Sequence, residues 1–325
     1  MRAIVCTELK GPDSLQLLEL PDPKPDPGTL VIDVKAAALN FPDVLITWGK
    51  YQTKPKLPFS PGGEGAGVVS AVGDGVEGYS VGDKVFFIGT HGAFAERVAL
   101  PAMVVAKMPP GVDYRTAAAL TMAYGTSYHA FKQRADLKPG ETVAVLGAAG
   151  GVGLAAVELA KAMGAKVIAC ASTDEKLQVC KAAGADELLN YGQTDLKTEL
   201  KQLAPKGVDV VYDPVGGDYS EPAIRSLRAG GRHLVIGFAA GNIPAIPLNL
   251  TLLKQSQIVG VFWGAWVMAN PREHGKNMVE LFQMMAKGQI KPRVEDVYKL
   301  EHYREAYACL IERRVKGKVV LDVGI

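Results

Sequence analysis

The chain has 325 residues, of which 48% are hydrophobic and 22% are charged, and its formal net charge is +2. This composition is ordinary for a globular enzyme of two domains, and the near-neutral charge argues against nucleic acid or a membrane as a partner. The four cysteines, Cys6, Cys170, Cys180 and Cys309, are scattered and form no C-x-x-C pair. They argue against a disulfide framework, so we expect a reducing, cytoplasmic location.

Residues 1 to about 123 alternate short β-rich stretches with glycine, proline and aspartate. Turn signals such as Gly73-Asp74-Gly75 and Pro109-Pro110-Gly111 separate these stretches. Strands at this spacing predict a compact, barrel-like β domain. The predicted strands are Thr29–Lys35, Gly65–Val72, Val81–Ile88 and Ala93–Val98.

The stretch from Thr142 to Gly153 predicts a short buried strand, a glycine turn and the start of a helix. Backbone N–H groups at such a helix start face outward, with the positive end of the helix dipole behind them, and this arrangement binds a pyrophosphate. The register Ala148-x-Gly150-x-x-Gly153 fits the dinucleotide fingerprint with alanine in the first glycine position. The alternative is a glycine turn that binds no nucleotide.

An amphipathic helix over Leu154–Met163 and a second strand complete a βαβ unit after the glycine turn. Further strands and helices alternate up to residue 264. The pattern predicts an α/β domain with a doubly wound parallel sheet of six strands, the Rossmann fold. The five later strands are predicted at Lys166–Ala171, Glu187–Tyr191, Val208–Asp213, His233–Gly237 and Gln257–Trp263.

The end of the second strand decides between the two dinucleotide cofactors. An NAD site offers an acidic residue about 20 residues beyond the glycines, whereas this strand ends in Ser172 and Thr173. Asp174 and Glu175 come later, in the first turn of the next helix, where they complement its dipole. The hydroxyls and the ammonium of Lys176 suit a 2′-phosphate, so we predict NADPH as the cofactor. The alternative is that Ser172 or Thr173 only caps the helix.

The last 60 residues return to a mixed pattern. Helices are predicted over about Arg272–Lys287 and His302–Arg313, followed by a strand over Gly317–Asp322. The six-stranded sheet has no obvious place for this strand. We therefore predict that it joins the first domain, which would comprise residues 1–123 and 265–325, with residues 124–264 as the inserted NADPH-binding domain.

Several motifs, in order along nearly the whole chain, resemble those of the medium-chain dehydrogenase/reductases. Within that superfamily the chain is most similar to the zinc-free NADPH:quinone oxidoreductases of the zeta-crystallin type. The resemblance implies a GroES-like, β-rich catalytic domain into which the Rossmann domain is inserted. The motifs are Leu39-Asn40-Phe41-Pro42-Asp43, Gly49-Lys50-Tyr51, Pro61-Gly62-Gly63-Glu64-Gly65-Ala66-Gly67, Val81-Gly82-Asp83-Lys84-Val85, Tyr124-Gly125-Thr126-Ser127-Tyr128, Ala148-Ala149-Gly150-Gly151-Val152-Gly153, Gly184-Ala185-Asp186 and Gly317-Lys318-Val319-Val320-Leu321.

The chain departs from the zinc-dependent alcohol dehydrogenases where those relatives bind their metal. Leu39 or Asn40 stands in place of their catalytic cysteine, and Gly63 in place of the histidine before Glu64. A zinc site needs about three protein ligands. His91 and His129 remain as possible ligands, but no ligand spacing joins them. We therefore expect no metal and a metal-independent reaction.

Reduction without a Lewis acid favours a conjugated acceptor, because a quinone or enone spreads the incoming negative charge over its π system. The resemblance implies that Asn40, Tyr51 and Thr126 surround the nicotinamide and the substrate. Asn40 would orient the carboxamide or the acceptor carbonyl, and Thr126 would contact the nicotinamide from the first turn of a helix or merely cap it. Tyr51 would donate a proton or only line the pocket with Phe41, Trp263 and Trp266. Asp43 is expected to cap a short helix over Val44–Trp48 and to take no part in catalysis.

The resemblance also supplies the remaining cofactor contacts and a homodimer joined through Gln257–Trp263. Two rival functions stay open: an enone or 2-enoyl thioester reductase on the same scaffold, and a non-catalytic, crystallin-like NADPH-binding protein. The implied cofactor residues are Gly150, Gly151 and Val152 at the pyrophosphate, Ser172, Lys176 and Tyr191 at the adenosine phosphate, Gly237, Phe238, Phe262 and Gly264 at the nicotinamide, and Arg313 and Lys318 from the returning strand.

Overall fold

The structure is a computed structural model that describes residues 1–324. The chain divides into two compact units. Unit 1 is built from Met1–Met122 together with the segment from Pro292 onward, and unit 2 from Ala123–Lys291. The first boundary lies one residue before the position that the sequence predicts.

The N-terminal segment of unit 1 is dominated by β strands, as the sequence predicts. Its longest strand, β3, is buried along most of its length because alanine, valine and isoleucine fill it. β4 and β6 both pair with β3 in the antiparallel sense. The elements of this segment are β1 (Arg2–Val5), β2 (Gln16–Glu19), β3 (Thr29–Leu39), α1 (Phe41–Thr47), β4 (Glu64–Val72), β5 (Lys84–Ile88), β6 (Arg97–Pro101), β7 (Val105–Lys107) and the start of α2 (Tyr114–His129).

Unit 2 contains a six-stranded sheet in the order β10-β9-β8-β11-β12-β13, and every pair in it is parallel. This is the strand order of a doubly wound Rossmann sheet, so the predicted fold class is confirmed. After α2 and a π-helical turn over Ala130–Ala135, the elements are β8 (Thr142–Leu146), α3 (Gly151–Ala162), β9 (Lys166–Ala171), α4 (Asp174–Ala182), β10 (Glu187–Asn190), α5 (Leu196–Leu203), β11 (Val208–Asp213), α6 (Ser220–Arg225), β12 (Leu227–Val235), α7 (Asn249–Lys254), β13 (Gln257–Gly260), α8 (Trp263–Ala269) and α9 (Pro271–Ala286).

The chain returns to unit 1 at Pro292 and not at residue 265. The reason is that α8 and α9 are attached to the C-terminal half of α2. Glu280 of α9 accepts hydrogen bonds from Tyr128 (Oη–Oε2, 2.5 Å) and from Lys132 (Nζ–Oε2, 2.5 Å). Asn277 accepts a further bond from Gln133 (Nε2–Oδ1, 3.2 Å). These contacts make α9 part of unit 2, together with α8 directly before it in the chain.

The returning segment contains β14 (Val294–Lys299), α10 (Tyr303–Ile311) and β15 (Lys318–Asp322). Unit 1 contains a seven-stranded sheet in the order β14-β15-β3-β4-β5-β7, and β6 also pairs with β3. In this sheet β15 lies between β14 and β3 and is antiparallel to β3, with Val319 opposite Leu39 and Asp322 opposite Ala36. The prediction that the last strand joins the first domain is therefore confirmed. Among residues 1–324, no helix has the length and apolar character needed to cross a membrane.

Candidate functional site

The glycine turn between β8 and α3 needs glycine at the third position of its fingerprint. A Cβ atom at Gly153 would lie 2.2 Å from the carbonyl oxygen of Gly147 and 2.9 Å from Cα of Ala148, so any side chain there would collide with backbone. Gly147 itself has φ +57°, in the left-handed region that glycine adopts without strain. The backbone of Gly147 and Ala148 therefore packs directly against the first turn of the helix.

The first turn of α3 offers N–H groups for an anion. The first intrahelical bond runs from the N–H of Leu154 to the carbonyl of Gly150 (N–O, 2.7 Å). The N–H groups of Gly151, Val152 and Gly153 precede it, and the N-cap residue Gly150 has no side chain to accept from them. A Cβ at Gly150 would meet only the oxygen of Gly147, at 3.4 Å. This open cradle fits the pyrophosphate of a dinucleotide.

The predicted adenosine-phosphate residues follow two neighbouring strands. Ser172 comes directly after β9, and Lys176 lies in the first turn of α4. Tyr191 comes directly after β10, donates its N–H to the carbonyl of Ala171 (N–O, 3.1 Å) and places its ring 4.6 Å from that of Tyr219. Since β9 and β10 are parallel neighbours, the structure brings these three residues to one edge of the sheet.

The helix cap at this edge is Thr173, whose hydroxyl oxygen accepts from the N–H of Lys176 (3.3 Å). The nearest carboxylate, Asp174, accepts from the side-chain amides of Asn190 (Nδ2–Oδ1, 2.7 Å) and Gln193 (Nε2–Oδ2, 3.4 Å). Asp174 is therefore held toward the loop after β10. A diol-binding acid at the tip of the second strand is absent from the described residues, as the sequence indicates.

Asp213, at the end of β11, holds the next part of this edge of the sheet and is not among the predicted site residues. Its Oδ1 accepts from the N–H groups of Val215 (2.9 Å) and Gly216 (2.8 Å), and its Oδ2 accepts from the hydroxyl of Ser220 (2.6 Å). The His233 Nε2 lies 3.3 Å from Oδ2. Burial raises the pKa of Asp213, but the bonds and charge of its partners outweigh burial and hold the pKa below its usual value.

The predicted nicotinamide residues Gly237 and Phe238 pack on the turn that Asp213 holds. The N–H of Gly237 faces the carbonyl of Asp213 (3.3 Å). A Cβ at Gly216 would lie 2.8 Å from Cδ1 of Phe238. A carboxylate at a strand end, followed by Pro214 and a glycine pair, was the sequence signal available for this turn.

Phe262 and Gly264 lie at the start of α8, and the side chain of Phe262 is 53% exposed. The two tryptophans of this helix pack within unit 2. Trp263 is buried over Gly125, where a Cβ would lie 2.6 Å from its Cζ2 atom, and Trp266 stacks on His129 with ring centroids 4.3 Å apart. The structure thus shows both indoles in contact with α2.

Thr126 lies near the C-terminal end of α2, not in the first turn of a helix as the resemblance implied. The helix begins at Tyr114, because Asp113 caps it by accepting from the N–H (3.0 Å) and the hydroxyl (2.7 Å) of Thr116. No glycine or proline that breaks a helix intervenes before Gly125, so the alanine-rich run continues through Thr126. The N-cap interpretation of Thr126 is wrong, and its contact with nicotinamide stays a prediction.

A buried charged cluster, formed by Asn40, Asp43, Glu64 and Lys318, lies in unit 1. The Lys318 ammonium donates to Glu64 Oε1 (2.7 Å), to Asn40 Oδ1 (2.6 Å) and to the carbonyl of Leu39 (3.3 Å). The Asn40 amide Nδ2 donates to Glu64 Oε1 (2.8 Å) and to the carbonyl of Ala38 (3.3 Å). The side chain of Glu64 is fully buried and that of Lys318 is 5% exposed. Buried charges of this kind need such complete pairing.

Asp43 completes the cluster from α1. Its Oδ2 accepts from the backbone N–H of Asn40 (2.8 Å), which is the N-cap residue of α1. Asp43 is the third residue inside the helix, so the prediction that it caps a helix over Val44–Trp48 is wrong in position, because the helix already begins at Phe41. Burial raises the pKa of Asp43 to about 7, against the opposing effects of hydrogen bonds and of Lys318. Glu64 adds to the increase, because a second carboxylate nearby disfavours ionisation. A pKa of about 7 means that both the neutral and the charged forms of Asp43 are populated near neutral pH.

Tyr51 is half-buried against the hydrophobic core of unit 1. Burial and the charge of Asp43 raise the pKa of its phenol, so Tyr51 keeps its proton at neutral pH. Arg313 is exposed, directly after α10, and lies in the same unit. Lys318 uses all three ammonium hydrogens inside the cluster. Contacts of Tyr51, Arg313 and Lys318 with a cofactor or substrate stay predictions.

No group of three or more histidine, cysteine, aspartate or glutamate side chains within residues 1–324 is arranged to hold a metal ion. His91 Nδ1 lies 2.8 Å from the hydroxyl of Thr90, and His129 Nδ1 lies 3.2 Å from the amide of Gln133. The Lys318 ammonium is bonded to Leu39 and Asn40, the two residues aligned with the metal-binding cysteine of the zinc-dependent relatives. The ammonium of Lys318 therefore contacts the two residues that stand in place of the metal-binding cysteine.

Comparison with known families matches residues 26–110 to the alcohol dehydrogenase GroES-like domain and residues 151–283 to a family described as zinc-binding dehydrogenase. The chain is 39% identical over 325 residues to quinone oxidoreductase-like protein 2 of Rattus norvegicus, covering 99% of this chain and 92% of that protein. It is 33% identical to the quinone oxidoreductase of Homo sapiens, covering 99% and 97% of the two chains.

Among solved structures, the chain is similar to the Escherichia coli quinone oxidoreductase complexed with NADPH, with a TM-score of 0.94 and 31% identity. That similarity covers 99% of this chain and 100% of the other. Both matched domains, the strand order and these relatives agree with the motifs found in the sequence. The chain belongs to the zinc-free quinone oxidoreductase family of the medium-chain dehydrogenase/reductases.

Proposed function

We propose that this protein is an NADPH-dependent oxidoreductase that reduces a quinone or another conjugated carbonyl compound without a metal. The observation that carries the proposal is the glycine turn, whose open cradle of N–H groups fits a pyrophosphate. Family membership supports the hydride chemistry, and the NADPH complex of the Escherichia coli relative supports the cofactor. The unpaired, buried state of Cys6, Cys170, Cys180 and Cys309 suits the proposed cytoplasmic location.

We assign the pyrophosphate to Gly150, Gly151 and Val152. The side chains of Ser172, Lys176 and Tyr191 would bind the 2′-phosphate, and the engagement of Asp174 with Asn190 removes the nearest competing carboxylate. The proposed nicotinamide contacts are Asn40, Thr126, Gly237, Phe238, Phe262 and Gly264, and Arg313 is a further proposed cofactor contact.

NADPH supplies a hydride when it is bound. Tyr51 holds a phenolic proton at neutral pH, and it is the residue to which we assign hydrogen bonding or proton donation to the reduced acceptor. A hydrogen-bond donor of this kind suffices for an acceptor whose negative charge is delocalised, whereas a simple ketone would need a stronger electrophile.

The test is NADPH oxidation by the purified wild-type protein with a panel of quinones and a panel of enones and 2-enoyl thioesters. We expect turnover of quinones that survives exhaustive chelation. Turnover of the enones or thioesters alone would establish the rival reductase, and loss of activity restored by zinc alone would refute the metal-free reaction. Tight NADPH binding with no turnover of any acceptor would establish the non-catalytic alternative.

The role of Tyr51 is tested by Tyr51→Phe, with Tyr114→Phe in the same unit as the matched control. A hydroquinone anion is stable enough to take a proton from water, so we expect Tyr51→Phe to retain measurable quinone reductase activity. We expect a larger loss with a simple enone, whose enolate needs a nearby proton. A loss of about a hundredfold or more with quinones would make Tyr51 an obligate acid and contradict this mechanism.

A further inference from the structure

A chain of hydrogen bonds crosses the interior of unit 2 and ends at the first turn of α3. The hydroxyl of Ser127, in the C-terminal half of α2, faces the carbonyl of Val152 (Oγ–O, 3.0 Å) and the carbonyl of Ala123 (Oγ–O, 2.9 Å). The phenol oxygen of Tyr212 lies 2.8 Å from the same Oγ atom. Ser127 and Tyr212 are both fully buried, so neither hydroxyl reaches solvent.

The number of protons fixes the direction of this chain. Ser127 and Tyr212 carry one hydroxyl hydrogen each. Burial raises the pKa of the Tyr212 phenol, which therefore keeps its proton at neutral pH. If Ser127 donated to Tyr212, it would have no hydrogen for either carbonyl. All the bonds are satisfied together when Tyr212 donates to Ser127 and the single Ser127 hydrogen lies between the two carbonyl oxygens.

Tyr212 is held firmly in the sheet. It lies on β11 opposite Val145 of β8, the strand that leads into the glycine turn. Its ring packs on that of Phe131, with centroids 5.4 Å apart. The hydrogen-bond chain therefore begins at a fixed donor in the middle of unit 2.

The carbonyl of Val152 belongs to the peptide group that joins Val152 to Gly153. This group is planar, so a bond at its oxygen also sets the direction of the Gly153 N–H at its other end. That N–H is one of the three N–H groups of the first turn that precede the first intrahelical bond. A hydrogen bond at the carbonyl oxygen also polarises the peptide group and makes its N–H a stronger donor.

We propose that Ser127 is a positioning residue for the cofactor, which orients and polarises the N–H of Gly153 toward the pyrophosphate. Tyr212 supports it by donating to Ser127, which leaves the Ser127 hydrogen for Val152. The inference rests on the proposed function, which assigns the pyrophosphate to this turn. The alternative is a purely structural role, in which the hydroxyl only bonds back to Ala123 in its own helix.

The test measures the binding of two probes to Ser127→Ala by calorimetry, so that no turnover is needed. NADPH carries the pyrophosphate, whereas adenosine 2′-monophosphate carries only the adenosine and its 2′-phosphate. The dissociation constant of NADPH should rise about three- to tenfold, the value of one hydrogen bond, and that of adenosine 2′-monophosphate should stay within about twofold of wild type.

Ser226→Ala is the matched control. This buried serine of unit 2 also donates to a carbonyl, that of Pro222 (Oγ–O, 2.9 Å). Both dissociation constants of this variant should equal those of wild type.

Ser127→Ala leaves the buried hydroxyl of Tyr212 without an acceptor, and this costs stability. The double variant Ser127→Ala/Tyr212→Phe removes both hydroxyls together and should fold, as judged by its melting temperature. It should show the same selective loss of affinity for NADPH.

A folded double variant with unchanged affinity for NADPH would overturn the positioning role. Equal losses for the two probes would overturn it as well, because they would mean a general loosening of unit 2. Neither result affects the proposed reaction, which is judged by quinone turnover of the wild-type protein. Conversely, a protein that turns over no acceptor but shows the selective loss would refute the reaction and leave the positioning role standing.

Discussion

We propose that single side chains in unit 2 decide which dinucleotide is used. Lys176→Ala should weaken NADPH binding by about ten- to hundredfold and leave NADH nearly unchanged, because a charge-assisted hydrogen bond to the 2′-phosphate is worth about 1.5–3 kcal/mol. Steady-state kcat/KM with both cofactors measures the effect. Lys181→Ala, in the last turn of the same helix, is the control and should change neither value. Equal losses with both cofactors would contradict the phosphate assignment.

In unit 1, the raised pKa of Asp43 makes the free energy of unfolding decrease as pH rises, which is the opposite of the usual effect of an aspartate. Its pKa rises from 3.8 in the unfolded chain to about 7, so the folded state binds a proton that the unfolded state releases. Stability from this group is complete below pH 4 and is lost as pH rises to 7, by about 4 kcal/mol in total. Asp43→Asn should remove this loss. We expect the variant to gain stability relative to wild type between pH 5 and pH 8 in urea denaturation.

Asp113→Asn is the control, because the pKa of Asp113 is shifted in the opposite direction from that of Asp43. Hydrogen bonds from Thr116 hold the pKa of Asp113 below its usual value, although burial acts against them. This carboxylate therefore stabilises the folded state above the unfolded pKa, and its contribution is lost as pH falls. The asparagine variant should lose stability relative to wild type as pH rises toward the unfolded pKa of 3.8 and should show no further trend between pH 5 and pH 8. If Asp43→Asn followed the same trend, the raised pKa of Asp43 would be refuted.

The contacts that sequence reasoning missed are those between residues far apart in the chain. The tip of β9 could be analysed from the sequence because Ser172 to Lys176 are adjacent. Glu64 and Lys318 are 254 positions apart, and no local pattern connects them. Asp213 was visible only as the last residue of a strand. Its role in holding Val215 and Gly216 depends on the path of the following turn, which local propensity does not determine.

At the scale of secondary structure, the turn between β8 and α3 places different demands on its glycines. Gly153→Ala should destabilise the protein by about 1–3 kcal/mol, because its Cβ would be forced against the Gly147 oxygen. Gly150→Ala should change the free energy of unfolding by less than about 0.5 kcal/mol, since its φ of −74° suits alanine and its Cβ has room. Thermal unfolding of the two variants gives the comparison. Equal losses would mean that the turn is not packed as described.

Helix boundaries show where the pattern of the sequence succeeds and where it fails. The predicted helix Arg272–Lys287 is observed as Pro271–Ala286. Its proline marks the first residue, and its apolar positions continue to the last turn. The strand predicted at His233–Gly237 begins at Leu227, because Gly230 and Gly231 mimic a turn although they lie within the strand. For α2, the Asp113 cap was the missed signal, and Thr126 was consequently placed in the wrong part of the helix.

At the scale of the whole molecule, the outer strand β13 provides an edge for a second copy of the chain. β13 pairs with β12 alone among the described strands, and Ile258 on it is 39% exposed. Leu248, Leu252 and Leu253, on and beside α7, are each more than 70% exposed. An unpaired apolar edge of this kind needs covering. These features support the homodimer through Gln257–Trp263, which we retain as a proposal.

We expect the wild-type protein to sediment as a dimer at micromolar concentration and Ile258→Lys to shift it toward the monomer. A buried lysine on each side of a two-fold interface places like charges together without partners. Val279→Lys, at another exposed apolar position of unit 2, should remain dimeric. A monomeric wild-type protein at this concentration would contradict the assembly.

The position of β15 has a consequence for synthesis on the ribosome. Glu64 is made 254 residues before Lys318, and at about 5–20 residues per second its counter-ion follows roughly ten seconds to a minute later. During that interval the flank of β3 that later pairs with β15 is open, and two carboxylates destined for burial have no cation. All of unit 2 emerges in the same interval. We therefore expect the nucleotide-binding unit to fold first in the nascent chain, and the N-terminal segment to wait for the last strand to close its sheet.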